Sequence, residues 1–127
     1  MNKLPIKLSI FNPGIFNNNE LVFEQSGLSV KLIKLESPLE GQAEIHRYFH
    51  DIYLVIQGEA TVVTGEALTE SIEIRPGEYR GNAIVSPIKY EIKKGDVFII
   101  PAGVAHQVSI QVGKLVQWVM KCSTSSE

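Results

Sequence analysis

The feature that most restricts the fold of this chain is its repeated interruption. Short runs rich in β-branched, aromatic or alternating apolar residues recur at Lys3–Ile10, Glu20–Phe23, Leu28–Leu35, Ile52–Gln57, Thr61–Thr64, Ser71–Ile74, Ile84–Val85, Tyr90–Ile92, Val97–Ile100, Gln107–Val112 and Leu115–Met120. Between them stand turn-forming clusters such as Asn12-Pro13-Gly14, Ser26-Gly27, Gln57-Gly58, Pro76-Gly77 and Lys94-Gly95. Runs this short, separated this regularly, cannot carry the 3.6-residue period of an amphipathic helix through several turns; they read as strands of an all-β sandwich or barrel. The one stretch with some helical character, near Ile15–Glu24, contains three consecutive asparagines, Asn17, Asn18 and Asn19, which favour a loop. Residues 123–127 read as a flexible tail.

At 127 residues, with 44% apolar and 20% charged residues, the chain has enough material for one domain with a real core. A formal net charge of -2 supplies no basic field for nucleic acid or an anionic membrane. The longest apolar run, Val97 to Ala105, has roughly half the length needed to span a bilayer. The N-terminus has no sustained apolar stretch of the kind a signal peptide needs, and the only cysteine, Cys122, cannot form an internal disulfide. A cytoplasmic protein is the expectation.

Two segments carry the chemistry. In Gly95-Asp96-Val97-Phe98-Ile99-Ile100-Pro101-Ala102-Gly103-Val104-Ala105-His106, a glycine turn leads into a buried strand, and a Pro-x-Gly turn then delivers a histidine at the start of the next strand. Upstream lies Glu44-Ile45-His46-Arg47-Tyr48-Phe49-His50-Asp51. Glu44 and His46 are two residues apart and project from one face of an extended strand, while Asp51 opens the next strand and can turn back toward them. Imidazoles and carboxylates on neighbouring strands are the ingredients of a mononuclear transition-metal site.

Each residue also has a purely structural reading. His106 can bond locally at its turn, Glu44 and His46 can decorate a solvated edge, and Asp51 can cap a strand entry. His50 faces away from Asp51 on a regular strand and reads as a surface or interface histidine, or else as a replacement for a missing ligand. Glu78, Tyr79 and Arg80, between two glycines, read as an exposed loop, or else as a contact at the mouth of a binding site. Tyr53 and Trp118 read as core or barrel-lining aromatics. No nucleophile elbow or phosphate-binding glycine loop is present.

The two segments resemble the paired motifs of the cupins, G-x5-H-x-H-x3-4-E-x6-G and G-x5-P-x-G-x2-H-x3-N. Gly95, Pro101, Gly103 and His106 match the second motif, with Ile110 in place of its asparagine. In the first, Glu44 stands where the first histidine belongs, His46 at the second, Asp51 in place of the glutamate, and Gly58 at the closing glycine; Pro38 occupies the position of the opening glycine. The motif core covers residues 42–112 of a domain spanning 1–122, and the segment around Glu78 resembles small single-domain bacterial cupins of unassigned function. The resemblance implies a double-stranded β-helix, or jelly-roll, barrel. It implies a divalent transition metal (Fe, Mn, Ni, Zn or Cu) held by Glu44, His46, Asp51 and His106, a small organic molecule bound in the barrel, and a homodimer to which the N-terminal strands 3–35 add a sheet or an interface. If Asp51 does not reach, Glu44, His46 and His106 alone make a two-histidine, one-carboxylate set. Function stays open between a metal-dependent enzyme, a non-catalytic small-molecule sensor or binding module, and a metal-free scaffold.

Overall fold

A computed structural model describes residues 5–13 and 20–124. Among the described residues fourteen strands follow one another: β1 (Glu20–Gln25), β2 (Leu28–Glu36), β3 (Leu39–Glu40), β4 (Ala43–His46), β5 (Phe49–Gln57), β6 (Glu59–Gly65) and β7 (Ala67–Leu68), then β8 (Ile72–Arg75), β9 (Glu78–Gly81), β10 (Ile84–Val85), β11 (Ile88–Lys93), β12 (Val97–Ile100), β13 (Ala105–Ile110) and β14 (Lys114–Ser123). No helix occurs among the described residues, and none is long and apolar enough to cross a membrane.

The strands form two facing antiparallel sheets and a small extra ribbon. One sheet runs β1-β2-β14-β5-β12; the other runs β11-β6-β13-β4-β9-β8, with β3 beside β13; β10 and β7 pair separately. Side-chain alternation decides what lies between the sheets. Tyr53, Val55, Ala60, Val62, Ile92, Ile100, Ile110 and Leu115, drawn from both sheets, make the interior. Strand β14 shows why its sequence is almost continuously apolar. Its alternate residues face inward from Leu115, while Val116 and Trp118 pack outward with Val30, Leu32 and Ile56. That outer face is covered in part by the N-terminal segment: Leu8 packs against it, and Trp118 Nε1 donates to the Ile10 carbonyl at 3.0 Å.

Several sequence expectations need correction. Lys3–Ile10 does not form a strand where it is described, since residues 5–9 have no regular structure and lie instead over the outer face of the sheet. The sheet is extended by β1 and β2 alone. Ser123 is not part of a tail but ends β14, where its N–H donates to Gly27 at 2.7 Å. Residues 78–81 are a strand between β4 and β8, not an exposed loop. The asparagines at 17–19 and the tail residues 125–127 lie outside the described residues.

Candidate metal centre

Strand register places the site. β4 pairs with β13 so that His106 lies opposite Glu44, and β9 pairs with β4 so that Arg80 lies opposite Glu44 and Glu78 opposite His46. On the facing sheet Asp51 lies between Ile100 of β12 and Lys121 of β14. The Pro-x-Gly turn is tied to β4 directly: the Gly103 N–H donates to the His46 carbonyl at 2.8 Å, with φ +88° at the glycine. A side chain in that left-handed conformation is disfavoured, so the turn that aims His106 depends on glycine at 103.

All four residues singled out from the sequence meet at one point. The ligand atoms of Glu44, His46 and His106 lie within 4.8 Å of one another. Asp51 Oδ2 lies 3.4 Å from His46 Nε2 and 3.6 Å from His106 Nε2. The two imidazole rings are tilted by 53° with centroids 5.0 Å apart, so both Nε2 atoms face the same space. Asp51 is 1% and His106 2% exposed.

Hydrogen bonding fixes the tautomers. His106 Nδ1 lies 3.0 Å from the Val104 carbonyl, which can only accept, so Nδ1 carries the proton. Nε2 of the neutral ring is then a bare lone pair, and this atom is buried with no hydrogen-bond partner among the described residues, 3.7 Å from Glu44 Oε1. His46 Nδ1 donates to Glu78 Oε1 at 2.7 Å, and its Nε2 stands 2.8 Å from Glu44 Oε1. Both contacts can be satisfied at once only if Nε2 is protonated or faces another cation.

The charges point the same way. Glu44, Asp51 and Glu78 are opposed by Arg80, 3.6 Å from both Glu44 and Glu78, and by Lys121, whose ammonium donates to Asp51 Oδ1 at 2.7 Å. With both imidazoles neutral, three carboxylates against two cations leave one negative charge in excess, which a proton on His46 or a metal ion between the rings offsets. Burial pushes the Glu44 carboxyl up, but positive charge on the His106 and His46 imidazoles facing it outweighs that and holds it well below the usual carboxylate range; a metal ion in place of those protons would act in the same sense. Burial likewise disfavours the charged His46 ring, yet the bond to Glu44 and the nearby Asp51 raise its pKa above the ordinary value. Two imidazole nitrogens and one or two carboxylate oxygens, with an orphaned lone pair aimed at surplus negative charge, fit a divalent transition metal.

Of two further residues in this arrangement, the sequence offered Glu78 only as a contact at the mouth of a site and did not single out Lys121. Glu78 orients His46 through Nδ1, as carboxylates behind metal-bound histidines do. Lys121 holds Asp51. Of the sequence candidates, His50 is not at the centre: its Nδ1 accepts the Ala102 N–H at 3.0 Å and steadies the Pro-x-Gly turn. We expect Glu78→Gln to weaken metal affinity about 10–100-fold while the fold survives; an unchanged dissociation constant in a metal-competition titration would remove Glu78 from this role.

Beside the centre opens a cavity of about 510 Å³, walled by β1, β2, β5 and β14 and reaching Glu44, Asp51, Tyr53, Gln117 and Lys121. Burial, with Asp51 and Glu44 nearby, pushes the Tyr53 phenol far up, so it stays neutral.

The arrangement of two facing sheets is shared by solved structures whose fold is known. A conserved protein with a double-stranded β-helix domain from Klebsiella pneumoniae superposes with a TM-score of 0.61 at 17% identity, covering 86% of this chain and 78% of that one. The cupin domain of Schizosaccharomyces pombe Cnp3 gives 0.61 at 12% identity, covering 83% and 59%. This is a cupin fold. A third cupin-fold neighbour, the DMSP lyase DddQ from Ruegeria pomeroyi, gives 0.56 at 16% identity, covering 81% and 42%. The chain thus spans less than two thirds of the length of the last two. No protein-family model matches the chain, and no curated protein matches it.

Proposed function

We propose that this cupin binds a divalent transition metal through Glu44, His46, Asp51 and His106, and acts on a small organic molecule held in the adjoining cavity. The observation that carries this reading is the buried, unpartnered Nε2 of His106, facing two carboxylates with its lone pair. A buried polar atom without a partner is destabilising unless something absent from the protein chain satisfies it. When bound, the metal would supply Lewis-acid polarisation of a substrate oxygen. The chain's own residues set the rest: Lys121 holds Asp51, Glu78 holds His46, and Val104 fixes the His106 tautomer.

Catalysis finds support in the neighbour named as a lyase. A non-catalytic binding module is the second reading, favoured by one observation. Each carboxylate at the centre already has a cationic or imidazole partner, which leaves none as an unengaged base. Turnover of small hydroxy, keto and phenolic compounds by the metal-loaded protein decides between them. A homodimer fits the open edge at β12, where Val97 and Ile99 are 58% and 59% exposed; a monomeric mass by light scattering would remove that part.

The reading has a pH signature. In the metal-free protein the His46 pKa is raised, so its protonation stabilises the fold fully below the unfolded value and progressively less as pH rises through the folded one. Metal and proton compete for Nε2, so metal stabilisation must run the other way and grow with pH over the same window. At 100 times the dissociation constant, metal should add about 2.7 kcal/mol, a rise of roughly 10 °C in Tm. Melting curves with Mn²⁺ or a chelator near pH 6 and near pH 8 check this. A metal-induced rise that is no larger at the higher pH would contradict it.

A further inference from the structure

The cavity beside the centre has polar groups that the metal reading does not use. Register arranges the inward side chains of the five-stranded sheet in rows. Ser29, Lys121 and Asp51 lie abreast; the next row is Lys31, Val119 and Tyr53; the next is Ile33, Gln117 and Val55. Rows on one face of a strand are about 6.6 Å apart, so the cavity leads from Asp51 past Lys31 to Gln117, about 13 Å along β14.

Of the two lysines in this wall, Lys121 is engaged by Asp51. Lys31 is half-buried and has no ion pair among the described residues; Glu24, the remaining acid in the wall away from the centre, is exposed. Gln117 is 3% exposed, and its Oε1 has no hydrogen-bond partner among the described residues. A buried amide is rarely left unsatisfied, and an unpaired ammonium partly withdrawn from water favours an anion. Around them Ile33, Leu35, Val108 and Val119 are hydrocarbon. Binding cavities combine such walls with a few convergent polar groups that fix orientation.

We infer that the cavity takes a small aliphatic organic acid, with a carboxylate held by Lys31 and its other polar end turned toward Glu44 and Asp51. The inference rests on the proposed metal centre only for that second end. A charge-assisted contact to Lys31 accounts for affinity, and Gln117 Oε1, an acceptor, meets a donor such as water rather than the carboxylate. The apolar walls select chain length: a chain of about five or six carbons fits between the Lys31 row and the centre at that row spacing.

Isothermal titration of Mn²⁺-loaded protein with glutarate and adipate, with 1,5-pentanediol as the uncharged control, tests this. The diacids should bind at least about 10-fold more tightly than the diol. Lys31→Met should weaken diacid binding about 10–100-fold, as loss of a charge-assisted bond does, with metal content unchanged. Gln117→Leu, which keeps the volume and removes the unpaired acceptor, should leave diacid affinity undiminished while raising the Tm of the ligand-free protein by roughly 3–6 °C. Unchanged diacid affinity in Lys31→Met, or a diol bound as tightly as the diacids, overturns the assignment. Should the unmodified protein hold no metal, the same titration on metal-free protein separates the two readings. Lys31-dependent diacid binding then upholds the acid site and removes the metal centre, and no binding overturns the acid site as well.

Discussion

Replacing His106 by phenylalanine will abolish metal binding and leave the fold standing. Phenylalanine keeps a flat ring in the buried position but has no nitrogen. The native ring contributes one hydrogen bond, Nδ1 to the Val104 carbonyl, worth about 1 kcal/mol net, and it buries an Nε2 with no partner. Leaving such an atom unsatisfied costs about 1–3 kcal/mol. Metal-free His106→Phe should therefore be as stable as the metal-free parent or more so, by up to about 2 kcal/mol. Its metal affinity should fall by more than about 100-fold, beyond what loss of an outer-shell partner causes. The same residue thus stabilises the loaded protein and burdens the empty one. Paired urea titrations with and without Mn²⁺ read both effects. A variant that is destabilised without metal and still stabilised by it would break the argument.

Gly58→Ala should destabilise the protein far more than the same change at Gly95. Gly58 joins β5 to β6 with φ +82°, and a Cβ there would collide with the Lys114 carbonyl at the start of β14. The obstruction is backbone on both sides, so no flexible side chain can move aside. Left-handed strain costs about 1–2 kcal/mol for a residue with a Cβ, and forced displacement of packed backbone adds about 1–3 kcal/mol. A loss of about 2–5 kcal/mol follows, a large part of the stability of a domain of this size. Gly95→Ala is the control. It shares the positive φ, at +94°, but nothing lies within 4 Å of the added carbon, so only the strain term applies. Urea midpoints of the two variants should differ accordingly, and equal losses would show that the close approach at Lys114 is unimportant.

Gly58 and Gly95 also mark how much of this molecule its sequence disclosed. The β-rich runs between turn residues pointed to the strands of both sheets, because reversing the chain so tightly needs glycine or proline backbone conformations. Glu44, His46, Asp51 and His106 were legible as a group through their spacing around those turns. What the sequence concealed was β9. Glu78-Tyr79-Arg80-Gly81 is polar and follows Pro76-Gly77, so it resembles a solvated loop. It is a strand because its charges are satisfied within the protein, Glu78 by His46 and both Glu78 and Arg80 by each other. The two-residue alternation of Glu78 and Arg80 was the available signal, and it matches that of Glu44 and His46 on the neighbouring strand. The N-terminal segment misled in the opposite sense. Its alternating apolar residues suit a strand, but they serve to cover an outer sheet face that is itself apolar.

One experiment bears on the whole account: elemental analysis of the protein purified without a histidine tag and exchanged into metal-free buffer. The geometry at His106 predicts close to one equivalent of a divalent transition metal per chain, and less than a tenth of that in the His106→Phe protein prepared alongside. A folded parent protein that carries no transition metal and takes up none on incubation with Mn²⁺, Fe²⁺, Ni²⁺, Zn²⁺ or Cu²⁺ would contradict it.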